Sequence, residues 1–505
     1  MNANLFAHFL VRSLQDRDHP LLETDAGDIW SNGDLADLSA RFASALMGAG
    51  ARRGDRIAVQ VDKSAQALAL YLACLRAGLV YLPLNTAYTP TEVAYFLQDA
   101  SPSLFVCRSG DETVLDDIAA AAGIRVVLTL DAVGGGSLMT EARRYDAGFE
   151  PVVSATDEVA VIIYTSGTTG RSKGAMLTHG NLLSNGETLV RAWGFTGADV
   201  LVHALPLFHV HGLFVANHCV LLSGARMLFH RRFDASLVLR DLPRATVLMG
   251  VPTFYTRLLS EPSFTRAVAA TVRLFVSGSA PLLVDTFTGF EARIGQRILE
   301  RYGMSESGMI TSNPLAGQRK GGTVGPALPG VDVRIADGED RALAQGGIGA
   351  IQIRGPNVFV GYWNMPQKTA EEFTADGWFR TGDVGVFDAE GYLSIVGRAK
   401  DLIITGGYNV YPKEIELVLD DAEGVLESAV IGVPHPDFGE AVTAVVVARP
   451  GATLDEAILL SHLKMRLANY KVPKRVHVVG DLPRNAMGKV QKVRLREQFT
   501  DASGG

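Results

Sequence analysis

Arg56-Ile57-Ala58-Val59-Gln60-Val61, then Ser64, then an apolar run closing at Ala77-Gly78, is the stretch that decides the fold. The first run is short and apolar, as a buried strand is. The Ser64 hydroxyl can take an orphan backbone N–H and start a helix, and Gly78 can turn left-handed and stop it. Leu79-Val80-Tyr81-Leu82 reads as the next strand. Thr89-Pro90-Thr91-Glu92 then offers an N-cap, a proline at the first helical position and a capping-box glutamate for a helix reaching Ala100. Leu104-Phe105-Val106-Cys107 and Arg125-Val126-Val127-Leu128-Thr129 add strands. Strands and helices alternating at this spacing predict an α/β fold with largely parallel sheets covered on both faces.

Working outward, the same pattern returns between Val159 and about Phe290. From Gly325 to Gly397 it gives way to short β-rich pieces, such as Val331-Asp332-Val333-Arg334-Ile335 and Gly349-Ala350-Ile351-Gln352-Ile353-Arg354, which predict a small β subdomain. After Arg398 a compact α+β unit is expected, with helices over 412–421 and 454–467 and strands over 428–433, 441–448 and 475–479. The boundary is placed at Gly397–Asp401, dividing a large domain, 1–397, from a small mobile lid, 398–505.

A chain of 505 residues is too long for one ordinary core. Its formal charge of -7 gives no basic footprint, which argues against nucleic acid or an anionic membrane as main partner. Cys74, Cys107 and Cys219 show no Cys-x-x-Cys spacing, so neither a disulfide framework nor a structural zinc is expected. With no signal-peptide pattern in Met1-Asn2-Ala3-Asn4-Leu5, a cytoplasmic location is expected. The most lipid-like segment, 204–229, is broken by Pro206, His209, His211, Asn217 and His218, and reads as buried core without membrane insertion.

Chemistry concentrates in Tyr164-Thr165-Ser166-Gly167-Thr168-Thr169-Gly170-Arg171-Ser172-Lys173-Gly174, which follows a strand beginning at Val159 and precedes a helix that Thr178 can cap. Glycines let successive N–H groups converge on phosphate oxygens, hydroxyls add donors, and Lys173 adds a positive charge. The spacing is not that of a Walker loop, and a flexible surface loop is the competing reading. Four further stretches follow in order. They are Arg301-Tyr302-Gly303-Met304-Ser305-Glu306-Ser307, then Trp378-Phe379-Arg380-Thr381-Gly382-Asp383, then Gly397-Arg398-Ala399-Lys400-Asp401 with Gly406-Gly407-Tyr408, and last Pro483-Arg484-Asn485-Ala486-Met487-Gly488-Lys489.

In order and spacing this set resembles the adenylate-forming superfamily of acyl-CoA synthetases, luciferases and peptide-synthetase adenylation domains, over nearly the whole chain. The resemblance implies an acid–thiol ligase using ATP, Mg²⁺ and CoA. A carboxylate oxygen is a poor leaving group until AMP is attached to it, and positioning plus charge neutralisation carry that transfer.

By similarity, Thr165, Ser166, Gly167, Thr168, Thr169, Gly170 and Lys173 hold the β- and γ-phosphates. Ser277 and Gly278 wall the adenine on which Tyr302 stacks, beside Gly303 and Met304. Ser305 meets the α-phosphate and Glu306 the Mg²⁺, while Asp383 and Arg398 take the ribose hydroxyls. Lys489 is the adenylation lysine, its charge offsetting the repulsion between carboxylate and α-phosphate; the competing reading is one more solvated lysine near Lys492. Lys400 sits at the hinge, and Gly406 and Gly407 approach the CoA thiol. Lysines of the Lys489 type are also acetylation targets in this family, which implies an acetyltransferase and a deacetylase as further partners.

Arg301 stands before Tyr302 where many relatives have a small or neutral residue, and Arg171-Ser172-Lys173 replaces the common Gly-x-Pro-Lys. With Leu205-Pro206-Leu207-Phe208-His209-Val210-His211-Gly212, these look like the malonyl-CoA synthetase subgroup, which implies malonate, and also methylmalonate, as the small carboxylic acid. Arg301, Arg171 and His209 become the substrate- or phosphate-facing positions, with Arg231 a further candidate cation and His211 read as a satisfied core histidine. A metal pair of His209 and His211 lacks a third ligand. Another short-chain acyl-CoA synthetase, and an adenylation enzyme loading a separate carrier protein, are the alternatives.

Overall fold

The structure is a computed structural model that describes residues 2–165, 172–405, 408–435, 438–485 and 488–500. Contacts divide it into two compact units, Met1–Asp332 with Arg354–Phe379, and Val333–Ile353 with Arg380–Gly505.

The first unit holds two sheets. In one, Val159–Thr165, Val80–Pro83, Arg56–Gln60, Leu104–Cys107 and Val127–Thr129 run parallel, with Lys173–Thr178 and then Gly361–Tyr362 antiparallel at one edge. In the other, Leu299–Met304, Leu274–Ser277, Val247–Gly250, Val200–His203, Arg226–Phe229 and Pro20–Thr24 run parallel between antiparallel edges Gly308–Ser312 and Ile29–Ser31. The expected parallel α/β fold is what forms.

The caps work as their residue types dictate. Ser64 accepts from the Ala67 N–H at the start of Ala65–Ala77, and Gly78 ends that helix at φ 67°. Thr89 and Glu92 close a reciprocal capping box on Pro90–Ala100. Ala65–Ala77 is apolar but for Gln66 and Arg76, and buried except at Gln66, as a helix packed on every side must be. Its Tyr71 meets Tyr81 of the first sheet, and bonds His218 in the segment 204–229 at 2.8 Å. That segment is core, and no helix among the described residues is long and apolar enough to cross a membrane.

The second unit contains a four-stranded sheet of Asp332–Ala336, Gly349–Arg354, Phe379–Phe387 and Leu393–Arg398, whose first, second and third strands run past the unit's limits by a residue. Its other sheet is built from Val425–His435 and Gly439–Ala448, flanked by Ile403–Thr405 with Tyr408–Val410, and by Arg475–Val479. Division by contacts therefore runs differently from a cut at 397/398. The small β sheet groups with the residues that follow it, because it packs its last strand against the helix Pro412–Asp420.

Candidate active site

In the first unit the strands on either side of the glycine-rich stretch pair antiparallel. Thr165 pairs with Lys173 across Val159–Thr165 and Lys173–Thr178, and only then does Thr178 cap His179–Ala192. The expected strand–loop–helix order thus omitted a six-residue strand. Ser166, Gly167, Thr168, Thr169, Gly170 and Arg171 lie outside the described residues, but both ends of the loop are fixed. The Tyr95 hydroxyl donates to the Ser172 carbonyl at 2.7 Å. Lys173 is buried, with its Nζ 3.2 Å from Glu372 and 4.4 Å over the Tyr362 ring. The Tyr362 hydroxyl donates to Glu306 at 3.0 Å, and burial together with that carboxylate pushes the phenol's pKa up, so it stays a donor. Tyr362 and Glu372 lie in no motif recognised in the sequence, yet Glu372 pairs with Lys173 and Tyr362 joins Lys173 to Glu306.

Glu306 and Ser305 occupy the turn between Leu299–Met304 and Gly308–Ser312, which carries the half-buried Tyr302 on its first strand. The two strands approach so closely that a Cβ at Gly303 would overlap the Gly308 carbonyl oxygen. Gly308 itself has φ 61°.

Beside this hairpin Arg301 is 3% exposed. Its guanidinium lies against Gly278, where a Cβ would overlap it. Nε and Nη2 have no hydrogen-bond partner among the described residues. These two atoms form the side-on edge of the guanidinium, whose parallel N–H bonds match the two oxygens of a carboxylate. Desolvation pulls the Arg301 pKa down to about 9, which leaves it cationic at neutral pH. His211, read from sequence as a satisfied core histidine, is 1% exposed, with Nδ1 3.3 Å from the Ser279 hydroxyl and Nε2 without a partner among the described residues. Burial, then the charge of Arg301, holds it neutral. The buried Ser277 hydroxyl also has no partner among the described residues, and Ser279 sits at φ 71°, a strained value for a side-chain-bearing residue. His209 is half-buried, its Nδ1 accepting from the His211 N–H at 3.3 Å. Arg231 goes elsewhere: it pairs with Asp25 at 3.2 Å and its side chain is 60% exposed.

In the second unit Asp383 is buried, paired across the sheet with Arg398, whose Nε lies 3.0 Å from its carboxylate. Lys400 follows in the turn Ala399–Asp401, its pKa lowered by burial and by Arg398. Lys489 is half-buried among the same charges. Burial first, then Arg398, lower its pKa to about 8, with Lys400 acting in the same direction and Asp383 and Asp401 against it. The turn bearing it is held by the Asn485 carboxamide, which accepts the Lys489 N–H at 3.0 Å, and by Arg484, which donates to the Gly488 carbonyl at 2.7 Å and pairs with Glu427. The motif that carries Lys489 includes Arg484 and Asn485, but Glu427, which pairs with Arg484, lies in no motif. Gly406 and Gly407 lie outside the described residues.

Two polar centres thus exist, each within its own unit. The first offers a deep cation with an unpaired fork; the second offers an acid that suits paired hydroxyls and a lysine biased towards releasing its proton. A lone carboxylate at Glu306 fits a Mg²⁺ that draws its remaining ligands from nucleotide phosphates, rather than a cation caged by protein.

Comparison with known proteins accords with this chemistry. Residues 11–363 match the AMP-binding enzyme family and residues 414–489 the AMP-binding enzyme C-terminal domain, so the chain belongs to the AMP-binding enzymes. Among solved structures it is similar to ATP-bound MatB of Rhodopseudomonas palustris, at 54% identity and TM-score 0.97, covering 99% of this chain and 100% of that one. It is 38% identical over 486 residues to a malonate–CoA ligase of Arabidopsis thaliana, covering 90% of this chain and 79% of the relative. It is 36% identical over 496 residues to a sulfoacetate–CoA ligase of Cupriavidus necator, covering 97% of both.

Proposed function

We propose that this chain is a malonyl-CoA synthetase, converting malonate, ATP and CoA to malonyl-CoA, AMP and diphosphate through malonyl adenylate. The observation that carries the substrate is the unpaired side-on edge of buried Arg301. A buried unpaired cation is costly unless function uses it, and a second carboxylate is the partner that its geometry matches. The relatives named for malonate support the same reading.

In this reading Lys173 and the stretch 165–170 hold the β- and γ-phosphates, with Arg171 close by. Tyr302 stacks on adenine beside Ser277, Gly278, Gly303 and Met304, and Ser305 meets the α-phosphate. Glu306 would hold Mg²⁺, which supplies charge neutralisation on the phosphates. Its neighbour Tyr362 fixes the carboxylate. Asp383 and Arg398 orient the ribose. Lys489 brings its ammonium to the carboxylate and α-phosphate oxygens, lowering the repulsion that opposes nucleotidyl transfer. CoA then attacks the adenylate: its sulfur bonds to the acyl carbon, AMP leaves with the bonding pair, and Lys400, Gly406 and Gly407 serve this second step. Arg301 grips the far carboxylate, with His209 and His211 lining the acid.

Three buried free cysteines are compatible with a reducing cytoplasm. Acetylation at Lys489 would erase its charge and stop the first step, which makes a lysine acetyltransferase and deacetylase candidate regulators.

CoA-dependent AMP formation across a panel of acids tests the proposal. Malonate should give the highest kcat/KM, with methylmalonate next. Acetate or octanoate ahead of malonate would overturn the substrate and leave the reaction class standing. Sulfoacetate is the second reading, because a sulfonate also carries oxygens that an arginine edge can bind, and it belongs on the same panel.

A further inference from the structure

Lys63 is buried in the loop between the strand Arg56–Gln60 and the helix Ala65–Ala77, and no step above uses it. Its Nζ lies 2.8 Å from three acceptors: His203 Nδ1, the His203 carbonyl and the Leu205 carbonyl. The tautomer of His203 follows from its other nitrogen. Nε2 is 3.0 Å from the Gly212 carbonyl, which can only accept, so Nε2 carries the hydrogen and Nδ1 presents a lone pair. Three acceptors require three N–H bonds. Burial works against the charge, but only the ammonium satisfies this geometry, with the Phe229 ring 4.2 Å away as a further stabilising face.

These bonds fall at the two ends of one segment. Lys63 holds the Leu205 carbonyl directly and the Gly212 carbonyl through His203, and between them lie His209 and His211. The segment closes tightly on itself, since a Cβ at Gly212 would overlap the Pro206 carbonyl oxygen. It then enters a π-helical turn, His211–Ala216, a conformation found often at functional sites. Lys63 comes from one sheet and Val200–His203 from the other, so the ammonium also ties the two sheets at their carboxyl ends, where α/β proteins bind ligands.

We propose that Lys63 is a positioning residue for acid selection: through His203 it fixes the span of residues 205–212 and hence where His209 and His211 stand against Arg301. This rests on the reading of Arg301 as the residue that grips malonate. Lys63 itself touches no substrate.

Full-length Lys63→Met and Lys63→Gln variants test it, by steady-state kinetics with malonate, acetate and ATP and by circular dichroism. Methionine keeps the length and removes every donor; glutamine keeps two. In Lys63→Met the KM for malonate should rise about 10- to 100-fold, the scale on which a remote displacement of positioning groups acts. Selectivity for malonate over acetate should fall in proportion, while the KM for ATP stays within about twofold. Lys63→Gln should lie between Lys63→Met and the natural chain. An unchanged malonate KM in folded Lys63→Met, or malonate and ATP KM values rising together, would overturn the proposal. If Lys63→Met does not fold, Lys63→Gln is judged by the same criteria. Failure of both to fold assigns Lys63 to global stability and overturns it as well. A natural chain that forms no AMP with malonate removes the functional reading and this inference together; normal activity with an indifferent Lys63→Met removes this inference alone.

Discussion

Arg301 carries opposing demands on stability and function. Its fork is buried unpaired, which costs free energy in the absence of an anion and supplies selectivity in its presence. Arg301→Met should therefore raise the thermal midpoint of the ligand-free protein, by an amount equivalent to about 1 kcal/mol or more, while losing malonate-dependent AMP formation. A lowered midpoint would show that the guanidinium is structural. Lys489 makes a different prediction. With a pKa near 8 it is protonated below that pH and progressively neutral above it. If the ammonium is the active form, diphosphate–ATP exchange with malonate should decline as pH rises through about 8, whereas thioester formation from supplied malonyl adenylate should not share that limb. Lys489→Ala should lose ~3–4 kcal/mol of transition-state stabilisation in the exchange assay and keep the second half-reaction. Equal loss of both would refute its role. The sequence brought both residues forward as motif neighbours, but it ranked His211 as core, since nothing in a His-x-His spacing reveals that one ring nitrogen will be left unpartnered.

At the scale of elements, the caps were readable because each depends on a few adjacent atoms. Ser64, Gly78, Thr89 with Glu92, and Thr178 do what their side chains imply. The strand Lys173–Thr178 was not readable, since its pairing partner is set by the hairpin and not by any alternation of its own. The hairpin of Leu299–Met304 and Gly308–Ser312 depends on close backbone approach. Gly303→Ala must push one strand off the other, because the obstacle is a backbone carbonyl that cannot swing aside. It should cost about 2 kcal/mol or more in denaturant unfolding, in the range of overpacked sites, and weaken ATP binding in parallel. Full stability with an alanine there would mean that the hairpin opens more readily than its geometry indicates.

For the whole molecule, the proposed adenylation lysine, Lys489, and the proposed hinge both belong to the second compact unit, while Thr165, Lys173 and Arg301 belong to the first. If the two half-reactions draw on different residues of the second unit, as proposed, they require a point where the backbone can change conformation, and we propose Lys400 for it. Lys400→Pro fixes φ at that point, so adenylate formation should persist and thioester formation should slow. Slowing of the first step alone, measured by single-turnover kinetics, would refute the hinge. The expected boundary at 397/398 came from the change in the local pattern of strands and helices. The grouping of Val333–Ile353 with Arg380–Gly505 depends on long-range packing, which composition does not record.

The order of motifs, the alternation of strand and helix, and the caps settled the α/β class and the reaction class, because those features are properties of short contiguous stretches. Tertiary structure alone decided that Glu372 pairs with Lys173 and Tyr362 links it to Glu306, that Arg301 keeps a carboxylate-shaped edge without a partner among the described residues, and that Lys63, directly and through His203, binds both ends of the histidine segment. Burial and pairing depend on which distant backbones pack together, and residues 140 apart, as Lys63 and His203 are, carry no local sign of meeting.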